Sequence, residues 1–184
     1  MRTNKRILSQ FQRDVLNRFY LYLKSKRYSI STVKTYTFLV ADFIEFVGDK
    51  PLHMITKDEI DSYLMTDFVP KQYSISTQRQ LISALKLFKT MNPELGYDSL
   101  ELTRPKRSKK LPLVLSKMEI INLIVSTKNL KHRTMIAMLY SCGLRISELL
   151  QLKLSDVNLE RKQVFVNLGK GRKDRYIVLS ESMI

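Results

Sequence analysis

An arginine in the second half of the chain has the surroundings expected of a phosphate-binding group. Arg145 follows Gly143 in the run GLRISELL, residues 143–150. The glycine is typical of a helix end and the arginine of the next helix start, where backbone N–H groups already favour an anion. A planar guanidinium there can bind two phosphate oxygens at once. We therefore expect Arg145 to bind a phosphate, although a simple ion pair with Glu148 at i+3 suits the same spacing.

A lysine 25 residues further on lies in a second motif that could bind phosphate. Lys170 belongs to the run GKGRKD, between two β-forming segments, QVFVNL at 163–168 and RYIVL at 175–179. This pattern predicts a β-hairpin whose loop is longer than two residues. An ammonium on such a turn can reach a phosphate or protonate a leaving oxygen, and the alternative is a solvated basic turn. The run is not a nucleotide-binding Walker loop, because the spacer and the following helix are missing.

The two motifs, together with the run LPLVLS at residues 111–116, resemble the tyrosine recombinase (phage-integrase) family, most closely its Xer-like members. The resemblance covers nearly the whole chain. It implies that Arg145 stabilises charge on a DNA phosphate, that Lys170 is the general acid and that Glu148 supports Arg145. It also implies DNA recombination and integration through a 3′-phosphotyrosyl intermediate, with no cofactor and with a homo-tetramer on DNA for the complete protein.

The remaining catalytic groups of that family have no counterpart in this sequence. Family members add a His-x-x-Arg, a second His or Trp, and a tyrosine nucleophile beyond the strand that corresponds here to 175–179. The two histidines, His53 and His132, both precede Arg145, and the last tyrosine is Tyr176. We therefore expect this chain to have no nucleophile, to bind DNA and not to cut it by itself.

The resemblance implies a fold that is mainly α with a small antiparallel β-hairpin or sheet. Its parts are a helical, SAM-like core-binding domain at 1–102, a basic linker at 103–112 and the first half of an α+β catalytic domain at 113–184. The apolar periodicity independently predicts two amphipathic helices, one from about Phe11 to Leu23 and one from Val33 to Val47.

Capping residues predict where the other helices begin. Helices are expected at the capping box TKDE of residues 56–59, after Ser76, at the capping box SKME of residues 116–119, and at about His132. A third strand near 152–154 completes the expected elements.

The charge of the chain predicts a polyanionic partner. The 184 residues carry a formal net charge of +15, with a pI near 9.9. Residues 1–110 hold 20 basic and 11 acidic groups, and residues 111–184 hold 12 and 6. Because both parts are basic, we expect both to face the same double-stranded DNA.

Several cations cluster at predicted helix starts and in the linker. The run YSIST occurs twice, at 28–32 and 73–77, each time just before a long helix. Its Ser and Thr residues are either ordinary N-caps or part of two helix starts that bind phosphates. Likewise, the linker is either merely solvated or runs along the DNA backbone. The candidate DNA-binding residues are Lys26, Arg27, Lys34, Lys71, Arg79, Arg104, Lys106, Arg107, Lys109, Lys110, Arg172, Lys173 and Arg175.

Other function classes find little support in the sequence. No apolar run approaches the roughly 18 to 20 residues that cross a membrane, which predicts a soluble protein. The single cysteine, Cys142, excludes an internal disulfide and fits the reducing cytoplasm. No cluster has metal-ligand spacing, so no metal is expected. The rival hypotheses are a non-catalytic DNA-binding accessory factor that uses only the clamp fold, and a basic RNA-binding module.

Overall fold

The computed structural model of the chain describes residues 8–106, 111–167 and 174–179. The chain forms two compact units, Met1–Lys110 and Leu111–Ile184. Each unit has its own apolar core.

The first unit is a bundle of four helices. They are α1 (Gln10–Ser25), α2 (Ile30–Val47), α3 (Lys57–Tyr63) and α4 (Ile75–Met91). A 3₁₀ turn, Leu52–Met54, precedes α3, and a π-helical turn, Leu64–Phe68, continues it. The predicted helices are all present, because their apolar periodicity and their capping residues agree on the same segments.

The repeated YSIST run caps two of these helices in the same way. The Ser29 hydroxyl accepts a hydrogen bond of 3.1 Å from the Thr32 amide, and the Ser74 hydroxyl accepts one of 3.1 Å from the Thr77 amide. The expected start of α4 after Ser76 is therefore two residues late. Ser74 has an extended backbone and is the N-cap, because its hydroxyl satisfies an amide that the first helical turn leaves unpaired.

The core of the first unit lies between α1, α2, α3 and α4. Phe19 and Phe88 are fully buried and meet edge to face, with ring centroids 5.4 Å apart. Tyr63, on α3, has no exposed surface and contacts the Phe43 ring at 5.4 Å. Phe11 and Tyr20 fit the helical periodicity but are 42% and 39% exposed, because they lie at the edge of the apolar face of α1.

The segment that follows α4 packs back onto the first unit. Leu102 is buried, and the buried Tyr97 hydroxyl donates to the Leu85 carbonyl at 2.9 Å. Arg79 of α4 donates from Nη1 to the carbonyl of Pro105 at 2.5 Å. The beginning of the predicted linker, up to Pro105, is thus in contact with the helical bundle.

The second unit combines three helices with a small sheet. Its helices are α5 (Lys117–Ser126), α6 (Leu130–Cys142) and α7 (Ile146–Gln151), followed by a 3₁₀ turn, Leu154–Asp156. The antiparallel sheet has the order β1 (Val157–Asn158), β2 (Gln163–Val166) and β3 (Arg175–Val178). The expected hairpin is β2–β3, in which Val166 pairs with Arg175.

The expected third strand near 152–154 is wrong. Leu152 and Lys153 have no regular structure, Leu154 begins the 3₁₀ turn, and the third strand is β1. This strand forms only because its two residues pair with Val164 and Gln163 of β2. A strand of two residues is too short to leave an alternating pattern in the sequence.

The second unit has a small core between α6, α7 and the sheet. Val164, Val166 and Leu179 from the hairpin pack with Met138 and Leu149 from the helices. No residue of α5 is buried. No helix in the described parts of the chain is long and apolar enough to cross a membrane.

Candidate functional site

The turn between α6 and α7 brings Arg145 to a helix start. Gly143 ends α6 with φ 58° and ψ 30°, a left-handed conformation that glycine adopts without a side-chain clash. Leu144 then enters the core, with 6% of its surface exposed. Arg145 has φ −76° and ψ 150° and is the N-cap of α7. The predicted helix end and helix start are both confirmed.

Glu148 holds the backbone and the side chain of Arg145. Its Oε2 atom accepts from the Arg145 amide at 2.9 Å, and its Oε1 atom accepts from Arg145 Nη1 at 2.7 Å. The Glu148 side chain is only 7% exposed, whereas the Arg145 side chain is 52% exposed. A carboxylate with little exposed surface therefore fixes an arginine whose side chain still reaches solvent.

Arg175, the first residue of β3, binds the same carboxylate. Its Nη1 donates to Oε1 of Glu148 at 2.9 Å, and its Nη2 donates to Oε2 at 2.8 Å. The hydrogen bonds from Arg175 and from the Arg145 amide hold the pKa of Glu148 well below its usual range. Glu148 therefore carries a full negative charge between two guanidinium groups at neutral pH.

Not all predicted residues can be located. Lys170, Arg172 and Lys173 lie outside the described residues, as do Arg107, Lys109 and Lys110. In the described start of the linker, Arg104 and Lys106 are exposed.

The cations around the start of α2 are exposed. Lys26, Arg27 and Lys34 all have exposed side chains. The Lys26 ammonium lies 5.6 Å from the centre of the Tyr22 ring. Arg27 has a positive φ of 55° in the turn between α1 and α2.

The two candidate cations near the start of α4 have protein partners. The Lys71 ammonium lies 2.6 Å from Oδ2 of Asp67 and 3.5 Å from Oδ2 of the buried Asp42. Arg79 donates to Pro105, as described above. These contacts fasten neighbouring parts of the first unit, so a DNA-binding role for Lys71 and Arg79 stays a prediction.

The role of Arg175 as a partner of Glu148 was missed by the sequence analysis. Arg175 and Ile177 are both half-buried, whereas Tyr176 and Val178 are exposed. The strand period of two puts Arg175 on the core-facing side, where a charged group needs an opposite charge. That alternation was a signal for an ion pair. The identity of its partner, 27 residues earlier, was not available from the pattern.

Two family models together match most of the chain. The phage integrase N-terminal SAM-like domain matches residues 15–91, and the phage integrase family matches residues 113–184. The chain belongs to the tyrosine recombinase family of phage integrases. This family member therefore has the predicted helical SAM-like domain followed by a phage integrase region, and its predicted fold class is confirmed.

Relatives extend beyond the matched region. An integrase/recombinase of Escherichia coli is 32% identical over 171 residues, which cover 92% of this family member and 50% of that protein. The tyrosine recombinase XerA of Pyrococcus horikoshii is 32% identical over 171 residues, 93% of this chain and 58% of XerA. The chain thus spans about half the length of the curated relatives it matches.

A solved structure supports the fold. A lambda integrase, from the crystal structure of its tetramer bound to a Holliday junction, superposes with a TM-score of 0.70 over 90% of this chain and 50% of the integrase, at 17% identity. The matched family models and the two curated relatives favour the recombinase hypothesis over the accessory factor.

Proposed function

We propose that the chain is a DNA-binding part of a site-specific tyrosine recombinase or integrase. The observation that carries the proposal is the half-exposed side chain of Arg145, held at a helix start by the ionised Glu148, whose own side chain is only 7% exposed. Such a fixed donor suits a phosphate that gains negative charge during the reaction. In the whole protein, the reaction would break and rejoin DNA strands through a 3′-phosphotyrosyl intermediate.

The two candidate catalytic cations have different tasks in this reaction. A tyrosine phenolate oxygen, whose hydroxyl proton has been lost, forms a bond to the DNA phosphorus while the bond to the 5′-oxygen breaks, and the departing oxygen takes up a proton. Arg145 stabilises the added charge on the non-bridging oxygens. Lys170 supplies the proton to the 5′-oxygen as the general acid.

The rest of the chain would bind the DNA around the scissile phosphate. The exposed cations Lys26, Arg27 and Lys34 lie around the start of α2, where the Ser29 hydroxyl caps the Thr32 amide. The net charge of +15 supports the same role. The tetrameric assembly of lambda integrase on a Holliday junction supports a homo-tetramer on DNA for the complete protein, which would act in the cytoplasm.

Salt-dependent DNA binding tests the proposal in the chain itself. We expect the chain to bind duplex DNA in preference to RNA, with an affinity that falls steeply with salt. Each phosphate contact contributes a slope of about −0.9 in log K against log salt concentration. Neutralising Lys26 and Lys34 together, as Lys26→Gln and Lys34→Gln, should therefore reduce the slope by about 0.9 per lost contact. Fluorescence anisotropy with a labelled duplex measures this change.

A charge-matched pair provides the control. Arg18→Gln and Lys86→Gln remove two positive charges from α1 and α4 of the same unit, outside residues 26–34. We expect this pair to reduce the salt slope less than the Lys26 and Lys34 pair does. Equal losses from both pairs would mean that the net charge, and not this surface, binds the DNA. Preference for RNA would contradict the proposed function.

A further inference from the structure

Arg175 connects the hairpin to the helix that carries Arg145. It is the first residue of β3 and lies next to the hairpin loop, whereas Glu148 lies in the first turn of α7. Both terminal nitrogens of its guanidinium bind Glu148, one to each carboxylate oxygen, at 2.9 and 2.8 Å. This bidentate geometry is the most directional form of an ion pair between an arginine and a carboxylate.

Glu148 alone would be a weak support for Arg145. An arginine and a glutamate at i and i+3 on a helix stabilise each other by only a few tenths of a kcal/mol, and α7 has just six residues. Arg175 adds two charge-assisted hydrogen bonds from a different element. Because these bonds engage both carboxylate oxygens, they fix the plane of the carboxylate that receives Arg145.

The exposed fractions of the Arg145 and Arg175 side chains indicate that the two arginines have different roles. The Arg145 side chain is 52% exposed and contacts Glu148 through Nη1, so a large part of its guanidinium faces solvent. The Arg175 side chain is 35% exposed and contacts Glu148 through Nη1 and Nη2. Arg145 is therefore the arginine available to a phosphate, while the hydrogen-bonding edge of Arg175 is occupied by protein.

We propose that Arg175 is a positioning residue that orients Arg145 through Glu148, and that it is not a DNA backbone contact. This inference rests on the proposed function, because it assigns Arg145 to the reacting phosphate. Loss of the Arg175 side chain should change the orientation of the Arg145 guanidinium and leave the DNA-binding surface intact.

Strand cleavage by the full-length recombinase tests the inference. With saturating DNA, Arg175→Gln should slow the first cleavage step by about 100-fold, which is the effect expected when a reacting group is misplaced by about 1 Å. The dissociation constant for DNA and its salt slope should stay within about twofold of the unaltered protein. Arg175→Lys keeps the charge but loses the bidentate fork, so it should restore only part of the rate.

Two comparisons separate positioning from other roles. Arg161→Gln removes an exposed arginine from the same unit and should leave the cleavage rate unchanged. Glu148→Gln should slow cleavage, and adding Arg175→Gln to it should cause little further loss, because both act through one contact.

Two outcomes would overturn the inference. A weaker DNA affinity with a salt slope reduced by about 0.9, at an unchanged cleavage rate under saturation, would make Arg175 a phosphate contact. Fully additive losses would also overturn it.

Hydrogen exchange tests the contact between Arg175 and Glu148 without requiring DNA cleavage. The Arg145 amide donates to Glu148 Oε2, so its exchange rate reports how firmly that carboxylate is held. In the 184-residue chain, Arg175→Gln should accelerate this exchange and Arg161→Gln should not. Unchanged exchange in Arg175→Gln overturns the inference even if the recombinase is active. Faster exchange in the 184-residue chain, together with a full-length protein that cleaves no DNA, supports the contact and contradicts the proposed function.

Discussion

Two glutamates at equivalent positions of two helices have different uses. Glu59 of α3 and Glu148 of α7 each accept a hydrogen bond from the backbone amide at the N-cap of their helix, Thr56 and Arg145 respectively. Glu59 also binds the Lys50 ammonium at 2.5 Å, which fastens the loop before α3. Glu148 instead binds two arginines and holds one of them toward solvent. The same capping geometry thus stabilises a helix in the first unit and arranges a candidate catalytic group in the second.

Stability against pH should reveal the charge on Glu59. The hydrogen bonds from Lys50 and from Thr56 lower the pKa of Glu59 to about 2. Because the pKa is lower in the folded state, the contribution to stability is present above the unfolded pKa of about 4.3 and is lost as the pH falls toward 2. Glu59→Gln should lower the free energy of unfolding of the first unit by on the order of 1 kcal/mol at pH 7. Urea unfolding at several pH values measures the difference.

The gap between Glu59→Gln and the unaltered chain should shrink as the pH falls from about 4.3 to 2. Asp58→Asn is the matched control, because Asp58 is an exposed carboxylate in the same first turn. It should change stability by only a few tenths of a kcal/mol. A gap that is independent of pH would mean that the effect of Glu59 does not come from its charge.

At the scale of the elements, the long helices could be predicted from the sequence, whereas the short strand β1, which forms through a tertiary contact, could not. The helices α1, α2 and α4 have 16 to 18 residues, so their apolar faces repeat often enough to be recognised. β1 has two residues, and its position follows from pairing with β2, a tertiary contact that local pattern does not contain. Local signals also located Arg145, since a glycine at a helix end and the following helix start lie within three residues.

The site itself was only partly predictable for the same reason. Glu148 follows Arg145 by one helical turn, so sequence spacing suggested their contact. Arg175 reaches Glu148 only because the hairpin folds against α7, and no local pattern encodes which strand residue meets which helix residue. In the sequence, Arg175 looks like one more cation of a basic hairpin, whereas in the fold it belongs to an ion-pair network with Glu148 and Arg145.

The left-handed end of α6 should be sensitive to substitution. Gly143 has φ +58°, and a Cβ atom added there would meet no atom within 4 Å. The cost of Gly143→Ala therefore comes from the backbone conformation alone, and we expect the second unit to lose about 1 kcal/mol of unfolding free energy. Gly143→Asn should cost less, because asparagine tolerates this conformation better. Chemical unfolding followed by hydrogen exchange in α6 and α7 measures both. Equal losses for Ala and Asn would contradict this explanation.

At the scale of the whole molecule, the two units differ in how completely their apolar groups are buried. The largest fully buried side chains, among them Tyr63, Phe19 and Phe43, all lie in the first unit. In the second unit, Leu113 and Leu154 are 93% and 94% exposed. Because burial of apolar surface is the main stabilising term, we infer that the first unit contributes most of the chain's stability.

The segment that joins the units is anchored at its beginning. Leu102 is buried in the first core, and the Pro105 carbonyl accepts from Arg79. The Arg104–Pro105 bond resists trypsin because a proline follows the arginine. Trypsin should therefore cut first after the basic residues that follow, between Lys106 and Lys110, and separate the two units. Mass spectrometry of the early fragments locates the cut.

Bound DNA should slow trypsin cleavage of the linker, whereas loss of the Arg79 side chain should accelerate it. If the linker runs along the DNA backbone, bound duplex covers its lysines and arginines, and cleavage there should slow. Arg79→Gln removes the hydrogen bond to Pro105, so it should loosen the anchored end and accelerate cleavage in the absence of DNA. Arg18→Gln, which removes an exposed arginine of α1, is the matched control and should leave the rate unchanged. Equal cleavage rates with and without DNA would show that the linker does not lie on the duplex. If trypsin cuts the Arg79→Gln variant no faster than the Arg18→Gln control, Arg79 does not hold Pro105 in solution.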